Sequence, residues 1–220
     1  MQQKKNFDVK QLVLLAVFAA LAYVFSLFPR VQIGNFLTYE AKDAIIVIAG
    51  LILGPLASVI VSAVSALVEM ASITFSLTGF IGCLMDFISS ASYALPVAMV
   101  YKYRRTLAGA VGGLALGSIA MIIIMLLWNW LLTPLYLEID RKIVVGMLAT
   151  LFLPFNAVKA LLNSALVLCL YKPLVTVLRK TRLVPPPTQS TGGFQFGLYI
   201  LFVLILAAGV LLLLVLQGKL

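Results

Sequence analysis

Long apolar stretches, separated by short polar segments, occupy most of the chain. They are residues 12–28, 43–53, 55–70, 79–100, 107–132, 154–170 and 194–216. A helix needs about 20 apolar residues to cross a bilayer, and most of these stretches come close to that length. The pattern predicts an all-α polytopic membrane protein, with a six-helix core over 11–182 and one additional transmembrane helix over 194–217.

The segments between these stretches carry turn signals. Gly54-Pro55 separates the second stretch from the third, although one long kinked helix is the alternative, and Pro154 is expected to start the sixth span. Residues 143–153 are apolar but short, which is typical of a re-entrant or interfacial segment. Residues 31–42 are expected to form a polar loop, and residues 183–193 a Pro/Gly linker.

Composition excludes several classes of protein. Hydrophobic residues make up 63% of the chain and charged residues only 10%, with a mean hydropathy of +1.15. A soluble enzyme, a nucleic-acid binder or a disordered chain would not carry this excess. The chain has no histidine and no P-loop motif, so His-based catalysis, His metal ligands and P-loop ATP hydrolysis are excluded. We therefore expect no enzyme activity, no metal and no cofactor, and any ATP-driven step must come from a partner.

The basic residues are distributed unequally between the two sides of the predicted bundle. One set of loops holds ten of them: Lys4, Lys5, Lys10, Lys102, Arg104, Arg105, Lys172, Arg179, Lys180 and Arg182. The other set holds five: Arg30, Lys42, Arg141, Lys142 and Lys219. The positive-inside rule therefore predicts a cytoplasmic N-terminus, residues 1–10, and explains the net charge of +9 without nucleic acid.

Polar residues inside apolar spans are the candidate binding groups, because burying them in a membrane costs free energy and such residues usually have a functional role. Asn156, Lys159 and Asn163 follow each other at i, i+3 and i+7, so they share one face of the sixth span. Asn129 in the fifth span is expected at a similar depth, near the outer side. Together they would suit a planar heterocycle with carbonyl and ring-nitrogen edges, against the aromatic residues Trp128, Trp130, Tyr136, Phe152 and Phe155.

A purely structural role is the alternative for this polar set. The asparagines would then form interhelical hydrogen bonds, which is the favoured interpretation for Asn163, and Lys159 would pair with Glu69 to hold the bundle together. Asp86 is expected to cap a helix, form an ion pair or line the cavity. Asp43 is expected to cap the N-terminus of the second span.

Four short segments give the chain a recognisable family resemblance. They are Phe36–Asp43 (FLTYEAKD), Gly54–Ala57 (GPLA), Trp128–Tyr136 (WNWLLTPLY) and Leu153–Lys159 (LPFNAVK). In this order, over roughly residues 10–182, the chain resembles the substrate-binding S components of energy-coupling factor (ECF) vitamin transporters, above all the riboflavin branch.

The resemblance implies a six-helix S-component fold that binds its vitamin near the extracellular side, beneath the first outer loop. It assigns ligand contacts to Asn129, Asn156 and Lys159, and Tyr39 and Glu69 complete the expected binding set. The resemblance further implies docking of a transmembrane coupling subunit on a small-residue face of the first helix, at Ala16 and Ala20, and two ATPase subunits as further partners.

Two features depart from the family pattern. Glu69 stands where riboflavin-specific members carry a basic or amide residue, and the helix after the linker is additional to the six-helix core.

We therefore expect a membrane-embedded subunit that binds riboflavin for ATP-driven uptake by its partners. The alternatives are another vitamin or heterocycle as the ligand, or a self-sufficient proton-coupled transporter in which Glu69, Asp86 and Lys159 form a relay. A scaffolding membrane protein without a ligand is a weaker alternative.

Overall fold

The computed structural model describes residues 8–27, 30–33, 37–73, 77–180 and 195–216. The helices are α1 Val9–Leu27, α2 Lys42–Leu53, α3 Pro55–Ile73, α4 Leu77–Tyr103, α5 Leu107–Leu137, α6 Arg141–Met147, α7 Leu153–Lys180 and α8 Gln195–Leu216. Within these ranges, five helical segments are long and apolar enough to cross a membrane. The predicted all-α polytopic fold is therefore confirmed. The predicted linker, 183–193, lies outside the described residues.

The predicted break between the second and third apolar stretches is present. Gly54 ends α2 with φ of +102° and ψ of 173°, and α3 begins immediately afterwards at Pro55. Only glycine adopts this backbone conformation without strain, and proline is suited to the first turn of a helix because it lacks an N–H. Two helices therefore replace the single kinked helix that was the alternative.

The helix α2 lies in the centre of the bundle. Every residue from Lys42 to Gly50 is buried, and α2 packs against α1, α3, α4 and α7. A helix that is buried on all sides has no face for lipid, so its polar residues must find partners within the protein. This requirement concentrates charged contacts at the N-terminal end of α2.

Two glycines of α5 allow it to pack closely along α4. A Cβ atom on Gly117 would lie 2.4 Å from the Tyr93 carbonyl oxygen and 2.6 Å from Val97 Cγ2, and one on Gly113 would lie 3.1 Å from the Val97 carbonyl oxygen. A larger residue at either position would therefore push α4 and α5 apart. At Gly112 nothing lies within 4 Å, so this glycine has no such role.

The expected polar loop at 31–42 is wrong, because most of this segment has regular structure. Strand β1 (Arg30–Ile33) pairs with strand β2 (Leu37–Glu40) in an antiparallel hairpin, with Val31 opposite Tyr39. The physical reason lies in the alternation of apolar residues in both strands, and the Gly-Asn pair between them is a turn signal. Ala41 then leads directly into α2, which begins at Lys42.

The expected start of a new span at Pro154 is also wrong. The helix α6, a π-helical turn over Leu148–Phe152 and α7 form one continuous helical run from Arg141 to Lys180. A π turn changes the backbone hydrogen-bond pattern just before the proline, so the run continues through a residue that lacks an N–H. Residues 143–153 are consequently the beginning of this run and not a separate re-entrant segment.

The additional helix α8 packs against α7. The side chain of Leu162 on α7 fills the space above Gly209, where a Cβ atom would lie 2.3 Å from Leu162 Cδ2. Phe202 and Leu213 of α8 are buried as well. The C-terminal helix is therefore attached to the bundle on the helix that carries Asn156 and Lys159.

Candidate functional site

The polar residues predicted from the fifth and sixth spans are buried in the bundle. Asn129 on α5 is fully buried, and Asn156 and Lys159 on α7 are 1% and 6% exposed. The helices α5 and α7 pack against each other, and none of these side chains faces the lipid.

The two amides are oriented by their own helices. Asn129 Nδ2 donates to the Met125 carbonyl oxygen at 2.7 Å, and Asn156 Nδ2 donates to the Phe152 carbonyl oxygen at 2.8 Å. An amide has two N–H donors and a carbonyl acceptor, so each of these bonds uses only one donor. For Asn156 the accepting carbonyl belongs to the π-helical turn, a feature often found at functional sites. Because the helical run starts at Arg141 and not at Pro154, Asn156 lies inside the run and not in its first turn.

Lys159 is paired, but not with the partner considered from the sequence. Its Nζ lies 3.1 Å from Asp43 Oδ2 and donates to Ser89 Oγ, also at 3.1 Å. The alternative Lys159–Glu69 ion pair is therefore wrong, because Glu69 binds a different lysine. The contacts of Lys159 join α7 to the buried start of α2 and to the middle of α4.

Asp43 has a different role from the expected helix cap. The N-cap position of α2 is occupied by Ala41, without a side-chain hydrogen bond, and Asp43 lies inside the first turn. Its carboxylate accepts from Ser90 Oγ at 2.5 Å and from Asn163 Nδ2 at 3.4 Å, in addition to the contact with Lys159. The cause is burial, since a carboxylate 1% exposed needs a counter-charge more than the helix needs a cap.

A second ionic cluster surrounds Lys42, the residue before Asp43. Its ammonium lies 2.8 Å from Glu40, 2.5 Å from Glu69 and 2.7 Å from Asp86. Of the open roles for Asp86, ion pairing is thus the observed one. The sequence-based assignment of Lys42 to a loop on the outer side is wrong, because Lys42 is only 1% exposed. Removing it from the basic residues of that side leaves the charge asymmetry in the same direction.

The sequence does contain one signal for the ion pairs of Lys42. Glu69 and Asp86 lie in apolar spans and need a cation, and Lys42 stands two residues before the uninterrupted apolar stretch 44–53. Charged residues at such places are nearly always paired. The choice of partner still depends on the three-dimensional arrangement of the helices.

Tyr39 brings the hairpin into contact with the part of α7 that carries Asn156. It is 4% exposed and belongs to an apolar cluster that contains Phe152 and Phe155 of the π turn and α7, as well as Leu213 of α8. Burial, assisted by the negative charge of Asp43, raises the pKa of the Tyr39 phenol. The phenol therefore stays neutral and keeps its proton as a hydrogen-bond donor.

The aromatic residues expected to form the walls are found in different surroundings. Phe152 and Phe155 are buried and Trp128 is half-buried. Trp130 is 39% exposed, and its ring lies 4.7 Å from the Arg141 guanidinium carbon, so the expectation of a wall at Trp130 is wrong. The side chain of Tyr136 lies outside the described part of the structure.

The small-residue face of α1 points outward. Ala16 and Ala20 are exposed, whereas Phe18 and Ala22 are buried against the bundle. This arrangement leaves a shallow surface between the exposed valines and leucines of α1, which allows another helix to approach closely.

These features define a multi-pass membrane protein with a cluster of buried polar residues between its helices, an arrangement found in small-molecule transport proteins. The family model described as "ECF transporter, substrate-specific component" matches residues 10–171. The chain belongs to this family, so the resemblance noted from its sequence is confirmed. It is a substrate-binding component of a transporter.

Two relatives and one solved structure are similar to this chain over most of its length. The riboflavin transporter RibU of Staphylococcus aureus (strain TCH60) is 28% identical over 180 residues, covering 78% of this chain and 93% of that protein. The riboflavin transporter FmnP of Bacillus subtilis (strain 168) is 30% identical over 164 residues, covering 70% and 85%. The structure reported as "Structure and mechanism of the S component of a bacterial ECF transporter" is similar with a TM-score of 0.63 and 28% identity, over 77% of this chain and 98% of that one.

Proposed function

We propose that this chain is the riboflavin-binding subunit of an ECF-type importer, and that it binds riboflavin from the extracellular side. The observation that carries the proposal is the burial of two amides and one ammonium group on the facing helices α5 and α7. A flat heterocycle with carbonyl and ring-nitrogen edges offers acceptors and donors that match these groups. The similarity to two riboflavin transporters supports the choice of vitamin.

Asn129, Asn156 and Lys159 would contact the isoalloxazine ring, and Tyr39 would cover it from the hairpin. Glu69 would act at the rim and only indirectly, because its carboxylate is bound by Lys42 at 2.5 Å. The hairpin would enclose the bound vitamin and limit the access of water.

The energy for uptake would come from partners. A transmembrane coupling subunit would dock on the exposed Ala16 and Ala20 of α1, and two ATPase subunits would drive release into the cytoplasm. The excess of basic residues in the loops at residues 1–10, 102–105 and 172–182 supports a cytoplasmic N-terminus. The orientation is tested by labelling cysteines introduced at Lys5 and Lys142 in intact cells, where only the latter should react.

The ligand is tested on the purified full-length chain. Mass spectrometry of the small molecules released by denaturation should find riboflavin, and titration of the emptied protein should quench flavin fluorescence with saturation at one equivalent. Asn156→Ala should weaken this binding at least about tenfold, because a buried ligand group then loses its hydrogen-bond partner. Ser118→Ala, whose hydroxyl bonds only to its own helix in the described structure, is the control and should bind normally.

Two results would contradict the proposal. One is a different compound released from the protein, with no flavin binding on titration. The other is proton-driven uptake of riboflavin into liposomes that contain this chain alone, which would favour a self-sufficient transporter.

A further inference from the structure

We propose that Asp43 is the positioning residue that holds the Lys159 ammonium group in place for the ligand. This inference rests on the proposed function, because it assumes that Lys159 contacts riboflavin. Nothing in the sequence pattern pointed to this role, since Asp43 was expected to cap α2.

The ammonium group of Lys159 is held by two contacts within the bundle. A lysine side chain is long and flexible, so an ammonium group has no fixed position unless other groups hold it. Here Asp43 Oδ2 and Ser89 Oγ each lie 3.1 Å from Nζ and belong to two different helices, α2 and α4. These contacts use two of the three N–H donors of the ammonium group and leave the third for an acceptor on the ligand.

The carboxylate of Asp43 is itself held in place by neighbouring side chains. Ser90 Oγ donates to Oδ1 at 2.5 Å, and Asn163 Nδ2 lies 3.4 Å from Oδ2. The residue is 1% exposed and lies in a helix that is buried on all sides. A carboxylate held by helices α4 and α7 at once gives the ammonium group a single, well-defined counter-charge.

The neighbouring carboxylates do not compete with Asp43 for the ammonium group of Lys159. Lys42 binds Glu40, Glu69 and Asp86, so these three carboxylates are held by a different cation. Asp43 is the acid within 4 Å of Lys159 in the described part of the chain. Removal of its charge would therefore affect Lys159 directly.

The test is a double-mutant cycle on riboflavin affinity, measured with the full-length purified chain. Asp43→Asn keeps the shape of the side chain and removes the charge, and it should weaken binding at least about tenfold. Lys159→Ala should weaken binding as well. If Asp43 acts through Lys159, then Asp43→Asn should cause less than about a twofold further loss in the Lys159→Ala background.

The cycle also removes a difficulty with folding. Asp43→Asn alone leaves the buried ammonium without a counter-charge and should lower the thermal unfolding temperature. The double variant has neither charge, so it should unfold closer to the wild-type temperature while its affinity remains weak. Recovery of stability without recovery of binding separates positioning from a general structural role.

Two further variants make the test sharper. Ser90→Ala removes one of the groups that orient Asp43 and should weaken binding by a few-fold, less than Asp43→Asn. Asp86→Asn removes a carboxylate from the neighbouring cluster without changing a contact of Lys159, so it should weaken binding less than Asp43→Asn does.

The inference and the proposed function fail in different ways. Wild-type affinity in Asp43→Asn, together with weak binding in Lys159→Ala, would overturn the inference and leave the function standing. Additive losses in the double variant, or wild-type affinity in it, would also overturn the inference. Wild-type affinity in Lys159→Ala would instead contradict the proposed ligand contact itself.

Discussion

Lys42 and Asp43 are adjacent in the sequence, but their side chains bind separate groups of partners. Lys42 contacts carboxylates from β2, α3 and α4, whereas Asp43 contacts Lys159 on α7 and Ser90 on α4. The first turn of α2 therefore joins the hairpin to three other helices through ionic contacts.

Removal of the Lys42 charge should destabilise the protein strongly. Lys42→Met leaves Glu40, Glu69 and Asp86 without their cation, and removing one partner of a buried ion pair costs about 3–5 kcal/mol. We expect a clearly lower unfolding temperature in detergent, followed by tryptophan fluorescence. Lys102→Met, at an exposed position near the end of α4, is the matched control and should change the unfolding temperature little. Equal stability of the two variants would show that the cluster contributes no net stabilisation.

The close packing of α4 and α5 predicts opposite outcomes for two glycines of α5. Gly117→Val would place side-chain atoms against the Tyr93 carbonyl oxygen, so the helices must separate at a cost of about 1–3 kcal/mol. Gly112→Val, with nothing within 4 Å, should be tolerated. Thermal unfolding of both variants measures the difference, and a stable Gly117→Val protein would contradict this packing.

The outward face of α1 predicts a selective defect in assembly. Ala16→Trp or Ala20→Trp adds a large ring where a partner helix is proposed to approach, so co-purification of the coupling subunit should be lost. Riboflavin binding by the isolated chain should remain, because the altered face points away from Lys159 and the bundle interior. Ile119→Trp, exposed on α5, is the control and should assemble normally. Normal assembly of the Ala16 and Ala20 variants would remove α1 from the docking surface.

The buried charges near the site predict a preference for an uncharged ligand. Four carboxylates and two ammonium groups lie in the two clusters: Glu40, Asp43, Glu69, Asp86, Lys42 and Lys159. The excess of negative charge should repel a phosphate group, so riboflavin should bind at least about tenfold more tightly than its phosphate monoester. Competition titrations at equal ionic strength measure the ratio. Tighter binding of the phosphate would contradict this charge distribution around the ligand.

Tyr39 offers a test of the hairpin as a cover. Tyr39→Ala removes a buried ring from the apolar cluster that contains Phe155, so the hairpin should hold the vitamin less well. We expect faster dissociation of riboflavin, measured by stopped-flow fluorescence, with a smaller change in the association rate. Tyr39→Phe retains the ring and shows whether the hydroxyl contributes separately. An unchanged dissociation rate in Tyr39→Ala would mean that the hairpin does not retain the ligand.

The spans of this protein could be predicted from its sequence because apolar stretches and their breaks are local signals. Gly54 and Pro55 mark a break by their own backbone chemistry, and the start of α5 and both ends of α8 follow the hydrophobic pattern, whereas α5 continues past the predicted end at residue 132 to Leu137. The same local rule failed at Pro154, because a π turn lets the helix continue through a proline.

The buried polar residues could be identified from the sequence, but their pairing could not. A polar group within a span is recognisable from the sequence alone, so Asn129, Asn156 and Lys159 could be identified as candidate binding residues. The partner of Lys159 is 116 positions away, and the carboxylates around Lys42 come from different elements. Several acids are compatible with each lysine until the helices are packed, and the alternative interpretation of the sequence paired Lys159 with Glu69, where the structure has Asp43.

The enclosure of α2 has a mechanical consequence. The helix α2 packs against α1, which carries Ala16 and Ala20, and against α7, which carries Lys159. Protein interiors are dense and resist compression, so a shift of the Asp43 end would displace α1 as well. A ligand that displaces Lys159 would thereby also move the surface of α1 on which another subunit is proposed to dock. The single helix α2 would connect ligand binding to that surface.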